Sequence, residues 1–126
     1  MNLLGIDFGT KRTGVAWVDT DIGVVLPLGL VEGKNLAEIS KKLIKIILEE
    51  KPDKIIFGLP VSLDNQESAN TNRVREFAKK IKEQTKIEID FMDERFSSQM
   101  ADREPGLISR DEASAVIILS DYLNKK

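Results

Sequence analysis

The sequence predicts an α/β fold built on a mixed five-stranded sheet, and three observations carry that prediction. Short apolar segments near the start are joined by tight or polar connections, which suits antiparallel strands. Later apolar segments alternate with stretches of helical period, which suits parallel strands joined by helices. The order that results, βββαβαβα, makes the first three strands antiparallel and the last two parallel, with helices on both faces.

Each element has its own warrant. Residues 2–8 and 13–19 are apolar and are joined by a tight region at Gly9-Thr10, which reads as an antiparallel hairpin. Residues 24–31 form a third strand, and Pro27, which has no N–H to give a neighbour, assigns it to a sheet edge. A helix begins near Asn35, where Asn35 and Glu38 have the spacing of a capping box. Leu36, Ile39, Leu43, Ile46, Ile47 and Glu50 then recur with helical period, until Pro52 stops the helix. Residues 54–59, Lys-Ile-Ile-Phe-Gly-Leu, are apolar almost without a break, as expected of a parallel strand covered on both faces. Pro60 ends that strand, and a polar loop runs through Asn65. A second helix is expected from about Glu67 to Lys86, with Val74, Phe77, Ala78 and Ile81 as its core face. Residues 87–92 form the last strand, and a helix from about Ser109 to Asn124 closes the chain. Its 126 residues show no repeat or linker, so residues 1–126 are expected to form one domain.

Composition narrows the chemistry. The chain has no cysteine and no histidine, which excludes disulfides, thiolate nucleophiles and imidazole catalysis. Any reaction must use carboxylates, hydroxyls, lysines or arginines, together with a hard oxygen-loving cation such as Mg2+ or Mn2+. No apolar run is long enough to span a membrane and no secretory signal is visible, so a cytoplasmic location without membrane attachment is expected. The net charge of −2 argues against a strongly basic nucleic-acid binder, while leaving room for a local basic surface.

Acids occur in three places that packing alone does not require. Asp7 follows an apolar strand on which Leu3, Gly5, Asp7 and Gly9 share one face. It is either a metal ligand or a structural aspartate bonded to the turn, since a buried carboxylate needs a cation or hydrogen bonds. Asp93-Glu94-Arg95 follows the last strand, where open α/β sheets place their sites; a solvated strand end with a local Glu-Arg pair is the plainer explanation. Asp111 lies in Ser109-Arg110-Asp111-Glu112, which also has capping-box spacing. Yet Asp111, Ala115, Ile118 and Tyr122 fall on one helix face, and Ala113, Ser114 and Ala115 are small enough to approach Gly5 closely. Three converging carboxylates would repel one another unless cations neutralised them. Two divalent ions about 4 Å apart can activate water and stabilise the leaving oxygen of a phosphodiester.

The motifs Gly5-Ile-Asp7-Phe-Gly9-Thr10-Lys11-Arg12-Thr-Gly14-Val-Ala16, Gly58-Leu59-Pro60, Asp93-Glu94-Arg95-Phe-Ser97-Ser98 and Asp111-Glu-Ala-Ser-Ala span nearly the whole chain. In that order they resemble the YqgF/RuvX family. The resemblance implies a ribonuclease H-like fold. Members are described as pre-16S rRNA nucleases and as Holliday junction resolvases. It implies that Asp7, Glu94 and Asp111 correspond to the family's acidic triad, as catalytic residues and ligands of Mg2+ or Mn2+, two ions being expected. Two departures stand out. Ser62 and Asn65 replace the Asn and Gly usual after Gly-Leu-Pro, and the segment between Arg95 and Asp111 is short and lacks the usual basic loop.

The leading expectation is a metal-dependent endonuclease on structured RNA, most simply precursor rRNA, with Lys11, Arg12 and Arg95 on substrate phosphates. A DNA junction resolvase is the alternative and would act as a two-fold dimer; the sequence does not define the oligomeric state. Asp7-Phe-Gly-Thr10 also resembles the phosphate loop of sugar kinases and actin-like ATPases, which need two halves to clamp ATP. A non-catalytic RNA-binding assembly factor is the remaining reading.

Overall fold

In the computed structural model the described residues are 1–9, 11–59, 69–93 and 110–124. They build strands β1 (Asn2–Asp7), β2 (Arg12–Asp19), β3 (Val25–Glu32), β4 (Lys54–Leu59) and β5 (Glu88–Asp93) and helices α1 (Leu36–Glu50), α2 (Ala69–Thr85) and α3 (Arg110–Asn124). The sheet order is β3-β2-β1-β4-β5. β1–β2 and β2–β3 are antiparallel, and β1–β4 and β4–β5 are parallel, as the sequence predicts. The expected loop through Asn65, the start of α2 at Glu67 and the Ser109 cap lie outside the described residues. No helix among the described residues is long and apolar enough to cross a membrane.

Local chemistry accounts for the boundaries. Pro27 does lie on an edge strand, and the register of β2–β3 shifts where Gly29 and Pro27 are the successive partners, leaving Leu28 as the extra residue of a bulge. Asn35 caps α1 by accepting the Glu38 N–H at 2.9 Å. The Glu38 carboxylate accepts from Lys34 N at 3.1 Å, one residue earlier than in a capping box. Lys51, in the left-handed region at φ 48°, closes the helix by donating its N–H to Ile47 O. The buried face of α1 is Ile39, Leu43 and Ile47. Leu36, counted in the apolar period, is exposed at the helix's first position.

The sheet separates two apolar layers. On one side Leu4, Ile6, Val15, Ile55 and Phe57 meet the buried faces of α1 and α2, the latter being the expected Val74, Phe77, Ala78 and Ile81. On the other, Leu3, Ala16, Val18 and Ile56 meet Ala115, Ile118, Leu119 and Tyr122 of α3. Alternate residues of β1 therefore serve opposite layers. Gly5 lies under α3: a Cβ there would collide with the Leu119 side chain and sit 3.1 Å from the Ala115 carbonyl oxygen.

The far end of α3 is clasped to the start of β4 and β5. Tyr122 Oη donates to Asp90 Oδ2 at 2.8 Å and accepts from Lys54 Nζ at 3.2 Å, and Lys54 also pairs with Glu88 at 3.7 Å. Lys54 is level with Leu3 in the parallel register. Since Gly5 meets Leu119 and Ala115, α3 runs antiparallel to β1, β4 and β5. Its first turn therefore lies toward the ends of those strands.

Burial first, and then the bond to Asp90, push the Tyr122 phenol above its ordinary value. The bond with Tyr122 holds the Lys54 ammonium up in turn, against its own desolvation. A pKa raised in the folded state means that the stabilisation is complete below the unfolded value and is lost as pH rises through the folded one. Stability is thus expected to fall above about pH 10. Tyr122→Phe should cost about 1–2 kcal/mol at neutral pH and flatten that alkaline loss. Denaturant unfolding on either side of pH 10 measures both; a variant with the wild-type pH profile would assign the loss to another group.

Candidate active site

Two contacts fix the end of β1. Phe8 stacks on Phe77 of α2, with ring centroids 4.2 Å apart and planes at 19°, and Phe77 meets Phe57 edge-on at 6.1 Å. Phe8 is thereby held in the α1/α2 layer, and strand alternation assigns Asp7 to the α3 side. The second contact is made by Thr13, which is fully buried. Its Oγ1 accepts from Gly9 N and donates to Gly9 O, each at 3.3 Å. A Cβ at Gly9 would run into the Arg12 carbonyl oxygen, so this tight closure requires glycine.

Asp7 sits half-buried on a bed of glycines. Gly5 and Gly9 flank it on its own face of the chain, and Gly14 stands opposite on β2. On β4 the position after the Ile6–Phe57 pair is Gly58, whose β5 neighbour is Met92. Ala113, Ser114 and Ala115 are buried on α3. Asp7 also has a partner within the fold. The glycines cost conformational entropy and weaken strands. At Gly5 and Gly9 the space a Cβ would take is filled by the fold itself, by Leu119 and by the Arg12 carbonyl, so these two glycines serve close packing around Asp7.

The other acids are placed only in part. Asp93 ends β5 and pairs with Leu59. Glu94 and Arg95 lie outside the described residues, as do the side chains of Asp93 and of Asp111, whose backbone occupies the first turn of α3. Along the helix, Asp111 is about 6 Å beyond Ala115, the residue over Gly5. Along the strand, Asp7 is about 7 Å beyond Gly5. Because the two elements are antiparallel, both advances run the same way. Asp7 and the start of α3 therefore share one sheet end, where β5 also stops at Asp93. Among the described residues no group of three acids forms a metal site. The donors available here are carboxylates, with no histidine or cysteine anywhere in the chain, and that set fits a hard divalent cation.

Lys11 and Arg12 are exposed beside this end and line an open depression of about 530 Å³ together with Lys34 and Lys42. Gly33 N donates to Lys11 O at 3.1 Å, drawing the β3–α1 corner against the hairpin. Lys34 and Lys42 escape sequence reasoning because this contact is long-range and has no local pattern. Lys42 is shared with Glu38 at 3.5 Å and the Glu32 carbonyl at 2.7 Å.

The sequence model of the family described as "RuvX: Holliday junction resolvase" matches residues 1–125. A Maridesulfovibrio salexigens protein named "Putative pre-16S rRNA nuclease" is 37% identical, over 98% of this chain and 98% of its own. An Escherichia coli protein of the same name is 35% identical, over 98% of this chain and 96% of its own. Thermus thermophilus RuvC, solved in complex with a Holliday junction substrate, superimposes with a TM-score of 0.68 at 11% identity, covering 99% of this chain and 94% of that one. That likeness establishes the fold, which is ribonuclease H-like.

Thr13 gives a direct test of how this corner is held. Thr13→Val keeps the shape but leaves two Gly9 backbone groups without their partner, so it should lower unfolding stability by about 1–3 kcal/mol. Thr13→Ser should recover most of that. Equal denaturation midpoints for Val and Thr would show that the bonds contribute nothing.

Proposed function

The chain belongs to the RuvX family of phosphodiester-hydrolysing nucleases, and from this we propose that it is a metal-dependent endonuclease of ribosome biogenesis, acting in the cytoplasm on the 5′ end of precursor 16S rRNA. The observation that carries the reading is Asp7 on its glycine bed, at the sheet end shared by Asp93 and the first turn of α3. Asp7, Glu94 and Asp111 are the residues that would hold Mg2+ or Mn2+, with two ions in keeping with three carboxylates. When bound, such ions supply water activation and stabilisation of the leaving oxygen.

The chain's own residues do the rest. Glu94 is preferred to Asp93 because the resemblance of Asp93-Glu94-Arg95 to the family motif assigns the ligand's role to Glu94. The positive end of the α3 dipole offsets part of the repulsion among the acids. Gly14, the β2 partner of Asp7, and Gly58 on β4 put no side chain beside Asp7 where a phosphate backbone would approach. Lys11, Arg12 and Arg95 would grip neighbouring phosphates and set the strand's register over the carboxylates.

The family model over residues 1–125 carries the junction-resolvase description, but RNA is favoured because the individual relatives at 35% and 37% identity carry the rRNA nuclease name, whereas the junction-bound likeness stands at 11%. A junction enzyme must also cut two strands symmetrically through a dimer. The kinase-like reading of the Asp7 turn yields to family membership over residues 1–125.

The deciding experiment compares cleavage of a precursor rRNA fragment and a four-way DNA junction, with and without Mg2+ or Mn2+. Metal-dependent cutting of the RNA, abolished by Asp7→Asn without loss of folding, is expected. Symmetric paired nicks in the junction, faster than RNA cutting and second order in protein, would promote the resolvase. No cleavage of either would leave the assembly-factor reading. Glu94→Gln should reduce turnover at least about tenfold more than Asp93→Asn, a difference of about 1.4 kcal/mol in barrier. The reverse ranking would move the ligand to Asp93.

A further inference from the structure

We propose that the groove between α2 and β5 is a second contact surface for the phosphate backbone of the nucleic-acid substrate, flanking the point of cleavage. The inference rests on the nuclease reading above and names where that substrate continues.

The net charge of −2 hides an uneven distribution. Helix α2 carries five cationic residues against two acids. Arg75, Lys79 and Lys82 recur at i, i+4 and i+7 and are exposed, opposite the buried stripe of Val74, Phe77, Ala78 and Ile81. With Ala78, Ile89 and Phe91 they line a groove of about 260 Å³ in which no acidic residue takes part among the described residues. The depression beside Lys11 differs, because Glu32 and Glu38 line it as well.

The groove is suited to a phosphate chain in three respects. The Arg75 guanidinium lies over the Phe91 ring, 5.2 Å from its centroid. Stacking restrains a side chain that binds phosphates through a planar fork of donors. Arg75 to Lys82 spans seven residues, about 10 Å of helix, long enough to face more than one phosphate of a strand. And β5 is the last strand of the described sheet, with Phe91 two residues before Asp93, so the groove opens about 7 Å from the end where the acids are proposed to gather. A strand lying across that end can round the edge of β5 and enter the groove.

A polyanion is the occupant that the charge favours, because every charged residue lining the groove is a cation. The test uses the full chain and the double substitution Lys79→Ala/Lys82→Ala. Affinity for a long precursor rRNA fragment, and for a short oligonucleotide confined to the cleavage point, is measured across a salt series. Each lost phosphate contact reduces the slope of log affinity against log salt by about 0.7–0.9, so two should make it shallower by about 1.5 on the long RNA. No change is expected on the short one. Lys79→Arg/Lys82→Arg should restore the slope, and an unshifted melting temperature confirms folding.

Equal slopes for wild type and the alanine pair on long RNA would overturn the proposal. So would a change in oligomeric state caused by the alanine pair, which would give the groove to a second copy. If the wild type cleaves RNA and the slopes are equal, this inference alone fails. If the wild type neither binds nor cleaves RNA, the RNA-nuclease reading fails with it.

Discussion

The contact of α3 with β1 at Gly5 is the constraint on which the site depends. A side chain at this position would collide with Leu119, so α3 would have to ride further from the sheet. The consequences reach both ends of the helix. At one end Tyr122 would lose its 2.8 Å bond to Asp90. At the other, the first turn of α3 would rise away from the sheet end that carries Asp7. Close packing is what converts a residue's place in the sequence into a place near a carboxylate.

A site built this way weakens its own frame. Glycines at 5, 9, 14 and 58 contribute almost no side-chain packing around Asp7, and each lets the unfolded chain sample more conformations. The compensation is local and lies on three sides of the weak region. The Phe8–Phe77 stack holds the chain just past Asp7 on the opposite face. Thr13 clamps the turn from inside the core. The Tyr122 clasp fixes α3 from the far end of the sheet, where a hydrogen-bonded network can be strong without obstructing the site. Rigid elements thus hold the chain on either side of Asp7, as a preorganised site requires.

How much of this was legible in the sequence depended on the range of the contact involved. Strand alternation put Gly5 and Asp7 on one face, and helical period put Ala115, Ile118 and Tyr122 on another; both were recovered because a period of two or 3.6 is written locally. Pro27 announced an edge strand, but not the bulge at Leu28, which depends on how two strands pair. Gly14 and Gly58 were visible as motif residues, yet their positions on either side of Asp7 emerge only from register across three strands. The capping pattern of Asn35 and Glu38 located the start of α1 while missing that Glu38 reaches Lys34 instead. The basic groove escaped for the same reason as Gly14 and Gly58: α2 supplies its cations, and the β5 side chains that complete it are separated from them by the helix–strand turn.

Charge ties the fold back to its proposed task. A protein with a net charge of −2 is a poor candidate for holding a polyanion if that figure is read as uniform. It is not uniform, since α2 alone is positive by three and the remainder correspondingly more negative. Part of that remainder is the set Asp7, Glu94 and Asp111, whose charge the proposed function reserves for divalent cations. Two such ions would carry four positive charges into the site and turn the protein's net charge from −2 to +2. On this reading the acids that make the free chain repel a phosphate backbone become, once metal is bound, the region that attracts it most strongly. Substrate affinity and metal affinity would then be linked, each strengthening the other, and the free protein's isoelectric balance would understate its capacity to bind nucleic acid.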